Sequence, residues 1–105
     1  MSGAAGGVRV MLHLRPTPGE DAAVAEAYHR ISKDLDGTPG LLGNELLRVI
    51  TDEGAYAVLS EWESMAAFRD WEAGSAHRGT TSPLRPYQDT ERPSPFSLFE
   101  VVATY

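Results

Sequence analysis

The chain has 105 residues, a formal net charge of −6, 42% hydrophobic residues and no cysteine. One domain fits this length, and burying only about two-thirds of the unfolded surface leaves a role for a partner subunit. No basic cluster offsets the negative charge, which argues against nucleic acid and anionic membranes as partners; lack of cysteine excludes disulfides, thiolate nucleophiles and thiolate metal sites.

Residues 1–7, Met1-Ser2-Gly3-Ala4-Ala5-Gly6-Gly7, have no basic residue and no apolar run of signal-peptide length, and read as a disordered leader before a single domain at 8–105. No stretch approaches the roughly 20 apolar residues of a membrane span, so the expected location is cytoplasmic. Val8 to Arg15 alternates, with Val8, Val10, Leu12 and Leu14 on one side and Arg9, Met11, His13 and Arg15 on the other. That is the period of a half-buried strand. Thr17-Pro18-Gly19-Glu20 follows and has the form of a helix start: Thr at the cap, Pro at the first helical position, Glu three after the cap. Val24, Tyr28, Ile31 and Leu35 then make one apolar stripe, ended by Gly37 and Pro39.

Two strand-like runs, Leu41 to Ile50 and Ala55 to Trp62, flank the polar loop Thr51-Asp52-Glu53-Gly54, a hairpin signal. Ser64 caps a predicted second helix that carries Met65, Phe68 and Trp71 on one face and breaks at Gly74. Pro83, Pro86, Pro93 and Pro95 predict an irregular loop, and Phe96 to Tyr105 a last strand. The order β-α-β-β-α-β is that of a ferredoxin-like α+β fold with an antiparallel sheet and both helices on one face. The second and last strands are apolar at both parities: Leu42, Leu46 and Ile50 against Leu41, Leu47 and Val49, and Phe96, Leu98 and Val102 against Phe99, Val101 and Tyr105. A sheet with two apolar faces and helices for one needs a second layer. A twofold dimer packed sheet to sheet supplies it.

The segment Trp62-Glu63-Ser64-Met65-Ala66-Ala67-Phe68-Arg69-Asp70-Trp71, with Ser75 and His77 after it, resembles the W-E-S-x-x-A-F-x-x-W-x-x-S-x-H signature of the antibiotic biosynthesis monooxygenase family. Pro39-Gly40-Leu41-Leu42 is similar to the family's approach to its second strand. The resemblance covers roughly residues 8 to 80 and implies a dimeric α+β barrel with a pocket between helices and sheet in each subunit. It implies an enzyme that uses O2, with no cofactor, to oxidise polycyclic phenols such as anthrones to quinones in aromatic polyketide biosynthesis. Related barrels bind and degrade haem. Trp62 matches a pocket Trp of the quinone-forming members, whereas Val58 stands where they often carry Asn and Phe68 where they carry Tyr. Leu12 stands nearest the first-strand Asn of the haem-degrading members, and His77 is the candidate for their ligand His, at a shorter distance from Trp71 than theirs.

Trp62, Tyr56, Val58 and Ser60 share a sheet face by parity. Trp62 and Tyr56 are placed either to wall a slot for a flat polycycle or to pack beneath the second helix. Trp71 extends the Phe68 stripe, as core or as ligand contact. His77 is the candidate base, since an imidazole of ordinary pKa about 6.5 takes protons near neutrality; a solvated His is the alternative. Arg78 and Arg85 are either candidates to steady a phenolate or solvated loop residues, and Asn44 is either a donor to a substrate carbonyl or an ordinary polar edge residue. Tyr87 is read as part of a lid. His13 points by parity away from the pocket, His29 lies on the surface, and the three His are too scattered for a metal site. No G-x-S-x-G, phosphate-binding glycine loop or H-E-x-x-H is present. The leading reading is a cofactor-independent monooxygenase; a haem protein and a non-catalytic scaffold subunit of a polyketide tailoring complex are the alternatives.

Overall fold

Four strands and two α-helices follow one another in the order the hydrophobic periods dictate. The computed structural model describes residues 6–74 and 82–105. Its elements are β1 (Val8–Leu14), α1 (Asp21–Leu35), β2 (Leu41–Arg48), β3 (Tyr56–Trp62), α2 (Met65–Ala73), a 3-10 helix (Ser82–Tyr87) and β4 (Phe96–Glu100). The strands form one sheet in the order β2-β3-β1-β4, with every neighbouring pair antiparallel. β3 lies between β1 and β2, which is the split β-α-β arrangement of a ferredoxin-like α+β fold.

Register fixes which side chains share a face. Val8, Val10, Leu12 and Leu14 stand opposite Trp62, Ser60, Val58 and Tyr56, and this face carries the helices. Over it the core divides in two. One half joins Leu14 and Val58 to Val24, Ala27 and Ile31 of α1 and to Leu84 of the 3-10 helix. The other joins Val8 and Trp62 to Phe68 of α2, with Met65 and Trp71 against it.

Several elements depart from the sequence expectation. Helix α1 begins at Asp21, not after a Thr17 cap, and Glu20 occupies the cap position without a side-chain hydrogen bond there. Thr17-Pro18-Gly19-Glu20 instead forms a tight turn: the Glu20 amide donates to the Thr17 carbonyl at 3.1 Å, and Gly19 has φ +93°. Pro then Gly at the two central positions is what a type II turn selects, and it outcompetes the Pro-first helix start. The Glu20 carboxylate still accepts from the Thr17 amide and hydroxyl, which holds its pKa below the ordinary value. A second Pro-Gly turn precedes β2, where the Leu41 amide donates to Thr38 and Gly40 has φ +82°. A Cβ on Gly40 would sit 2.3 Å from that of Ala67 on α2, so this approach admits only glycine.

Strand β2 carries a bulge between Leu41 and Gly43: Leu41 pairs with Trp62, Gly43 with Glu61 and Asn44 with Ser60. The extra residue, Leu42, is exposed, so Leu41 takes the helix-side position that simple alternation gives to Leu42. The Pro-rich segment is not irregular throughout. Leu84, fully buried against α1, anchors the 3-10 helix. β4 stops at Glu100 rather than Tyr105, and just beyond it Val101 exchanges backbone hydrogen bonds with Gly6 and Gly7. The face away from the helices is mixed. Met11, Leu47, Leu59 and the half-exposed Phe99 share it with the Arg9–Glu61 ion pair, Glu45 and His13.

Candidate functional site

The gap between the two halves of the core is a cavity of about 200 Å³. Sheet residues make its floor: Val10 and Leu12 from β1, Asn44 from β2, and Val58, Ser60 and Trp62 from β3. Ile31 and Leu35 of α1 close one side; Phe68, Trp71 and Glu72 of α2 close the other. Arg85 and Gln88, around the end of the 3-10 helix, and Pro95 and Phe96, entering β4, complete the wall. An apolar hollow with few polar groups is the usual form of a small-molecule site.

The α2 side is an aromatic cluster. Ser64 caps the helix by accepting from the Ala67 amide at 3.1 Å, and the i, i+3 spacing then sets Phe68 and Trp71 side by side. Trp62 meets Phe68 edge-on, with ring centres 5.6 Å apart, and lies 5.3 Å from Trp71 at a 35° tilt. Trp62 is only 1% exposed. Its ring is therefore packed among these neighbours, whereas Trp71 is partly exposed. The Trp62 indole N–H donates to Ser60 Oγ at 3.0 Å.

The opposite end of the floor is polar. Ser32 of α1 donates its hydroxyl to Asn44 Oδ1 at 3.2 Å, and the Tyr28 hydroxyl donates to the Asn44 carbonyl at 3.1 Å. Tyr28 and Ser32 are four apart on one helix and so grip the same point of β2.

Of the side chains singled out from sequence, Trp62, Val58, Leu12, Phe68, Trp71, Asn44 and Arg85 come together around this cavity. Tyr56 shares their sheet face but is not in the wall. Its hydroxyl donates to Asp21 at the start of α1, and that bond raises the phenol's pKa above its ordinary value. Tyr87 packs against the α1 half of the core rather than over the cavity. His77 and Arg78 lie outside the described residues. His13 bonds through Nε2 to Ser97 on the other sheet face, and burial, with Arg92 nearby, pushes its pKa below the ordinary value.

Sequence reasoning did not assign Val10, Glu72 or Gln88 to the cavity. Parity with Leu12 gives Val10 away, and Glu72 follows Phe68 by four residues on α2, but Gln88 depends on how the chain returns after α2, and no periodic signal marks that path. Among the described residues no group of three or more His, Cys, Asp or Glu is placed to hold a metal, and no described helix is long and apolar enough to cross a membrane.

Comparison with known proteins agrees with this geometry. Protein SchA of Streptomyces halstedii is 34% identical over 80 residues, 76% of this chain but 21% of its own length. The chain thus spans about a fifth of that relative. Among solved structures, SnoaB, a cofactor-independent oxygenase from Streptomyces nogalater, superposes with a TM-score of 0.76 at 21% identity, covering 95% of this chain and 97% of that one. A haem-degrading protein from Mycobacterium tuberculosis gives 0.74 at 26% identity, covering 96% and 97%. The family model of the antibiotic biosynthesis monooxygenases matches residues 7–81. Strand order, cavity position and this match lead to one conclusion: the chain belongs to the antibiotic biosynthesis monooxygenase family.

Proposed function

We propose that the protein is a cytoplasmic, cofactor-independent monooxygenase that oxidises an anthrone-type polycyclic phenol of aromatic polyketide biosynthesis to a quinone. The observation that carries this reading is the apolar cavity with its Trp62–Phe68–Trp71 wall, set between helices and sheet in a member of this family. The likeness to SnoaB, itself a cofactor-independent oxygenase, supports it.

In the proposed reaction the substrate is the reductant. A base removes the activated C–H proton, and the resulting carbanion passes one electron to O2. Substrate radical and superoxide recombine as a peroxide, which loses water to leave the quinone carbonyl. One O2 is consumed; one of its oxygens enters the product and the other leaves as water. The cavity's task is to exclude water and hold the flat ring. Arg85, in the wall, is proposed to steady the developing anion. The proposed base is His77, with Arg78 as a second cation.

A homodimer packed through the uncovered sheet face is part of the proposal, supported by Met11, Leu47, Leu59 and Phe99 on that face. A second reading, haem binding, is favoured by the likeness to the haem-degrading protein. The described cavity wall contains no His, Cys, Met or Tyr to ligate iron, so that reading rests on His77. Oxygen uptake and quinone absorbance, followed with metal- and flavin-stripped protein and anthrone, test the leading reading. It predicts uptake above the spontaneous rate, reduced in Trp62→Phe and His77→Ala. A rate equal to buffer refutes it for anthrones, and a Soret shift on adding haem would then favour the second.

A further inference from the structure

Resting on the reading of the cavity as an aromatic-binding site, we propose that Asn44 and Ser60 form a two-donor seat for an acceptor oxygen of the ligand. The two residues are direct cross-strand partners on β2 and β3, and both line the cavity.

Each has already committed acceptor capacity to the protein. Asn44 Oδ1 takes the Ser32 hydroxyl and its main-chain carbonyl takes the Tyr28 hydroxyl. Ser60 Oγ takes the Trp62 indole N–H. An amide has one oxygen and one NH2, and a hydroxyl has one proton. With Oδ1 turned toward Ser32, the Asn44 NH2 lies on the other side of the amide. With Ser60 Oγ accepting from Trp62, its own proton remains to be given. The polar part of the floor therefore presents donors.

Around it the floor is Val10, Leu12 and Val58, which cannot bond a ligand oxygen placed elsewhere. A carbonyl or phenolate oxygen, which accepts from both, matches this seat. The seat thus narrows the ligand class from flat arenes in general to aryl ketones and phenolates. It also distinguishes the two ends of a polycycle, because the opposite wall is the Phe68–Trp71 ring pair. When the ring loses a proton, negative charge moves onto a conjugated oxygen, and donors aimed there strengthen their hold as it develops. Ser32 is a positioning residue: it touches Asn44, not the ligand, and fixes which end of the amide faces the cavity.

The test compares two probes of one carbon frame, anthrone and 9,10-dihydroanthracene, the second lacking the oxygen. Both are titrated without O2 into the full chain, with Trp fluorescence as readout. Ser60→Ala and Asn44→Leu are each expected to weaken anthrone about three- to tenfold, the worth of one neutral hydrogen bond, while dihydroanthracene changes less than about twofold. Ser32→Ala is expected to weaken anthrone alone, by less. The carbonyl stretch of bound anthrone is expected to lie below its value in hydrocarbon solvent and to move back toward it in each variant. The two floor variants report independently, so misfolding of one leaves the other decisive, and retained dihydroanthracene binding certifies the cavity. If wild type binds both probes and the variants shift them in parallel, the seat is overturned and the aromatic cavity stands. If wild type binds neither, the cavity reading fails and the seat with it.

Discussion

Gly40→Ala is the sharpest test of how α2, and with it the aromatic wall, is fixed to the sheet. The new methyl meets two obstacles. Gly40 has φ +82°, a left-handed conformation that costs an L-residue about 1–2 kcal/mol. Its Cβ would also lie 2.3 Å from the Ala67 Cβ, and overpacking of this kind typically costs about 1–3 kcal/mol. The two together give a loss of roughly 2–5 kcal/mol, a large part of the about 5–15 kcal/mol that holds a domain of this kind. Because the Gly40 carbonyl accepts from the Glu63 amide at 2.8 Å, the backbone cannot retreat without breaking a bond beside the Ser64 cap. Urea unfolding of wild type, Gly40→Ala, Ala67→Gly and the double variant separates the terms. Ala67→Gly alone is expected to lose about 1 kcal/mol of helix propensity. In the double variant the steric part vanishes, so it is expected to be about 1–3 kcal/mol more stable than the sum of the single losses. A loss below about 0.5 kcal/mol for Gly40→Ala, or additivity in the double variant, refutes the packing argument.

Leu84→Ala empties a fully buried position between the 3-10 helix and α1 and is expected to cost about 2–5 kcal/mol by urea unfolding; a surface-like loss under about 0.5 kcal/mol would show the helix to be peripheral. Ser64→Ala removes the α2 cap and is expected to cost about 1 kcal/mol, measured the same way. His13 is held below its ordinary pKa of 6.5, chiefly by burial, so the unfolded chain takes up its proton first as pH falls. Its contribution is complete above that ordinary value and is lost as pH drops through the folded-state pKa. Unfolding free energies measured across about pH 7 to 5 are therefore expected to fall less steeply in His13→Gln than in wild type; parallel slopes would contradict the assignment.

Much of the fold is legible in local pattern. The alternation from Val8 to Leu14 is β1, the stripe Val24, Ile31, Leu35 is the buried face of α1, and Ser64 caps α2 where the sequence puts it. The misreadings occur where two local rules compete. Thr17-Pro18-Gly19-Glu20 satisfies a helix start and a type II turn at once, and Gly19 decides for the turn by taking the positive φ. Leu42 and Leu41 are equally apolar, and only the pairing with Trp62 shows which faces the helices. Four prolines look like a loop, yet Leu84 among them finds a fully buried niche against α1 that is far from it in sequence. The cavity follows the same division. Trp62, Val58 and Leu12 reach it by strand parity and Phe68, Trp71 and Glu72 by helical spacing, whereas Gln88 depends on tertiary placement. Asn44 is readable as a polar residue on a strand; that its oxygen is held by Ser32 depends on how α1 docks over β2.

The hollow between the core halves is proposed to hold a flat aromatic ligand. A crystal structure of the complex with anthrone, grown without O2, tests it most directly. The ring system is expected over Val58 between Ile31 and Trp71, with its oxygen toward Asn44 and Ser60. Density for the ring anywhere outside this cavity, with the cavity itself empty, would contradict it.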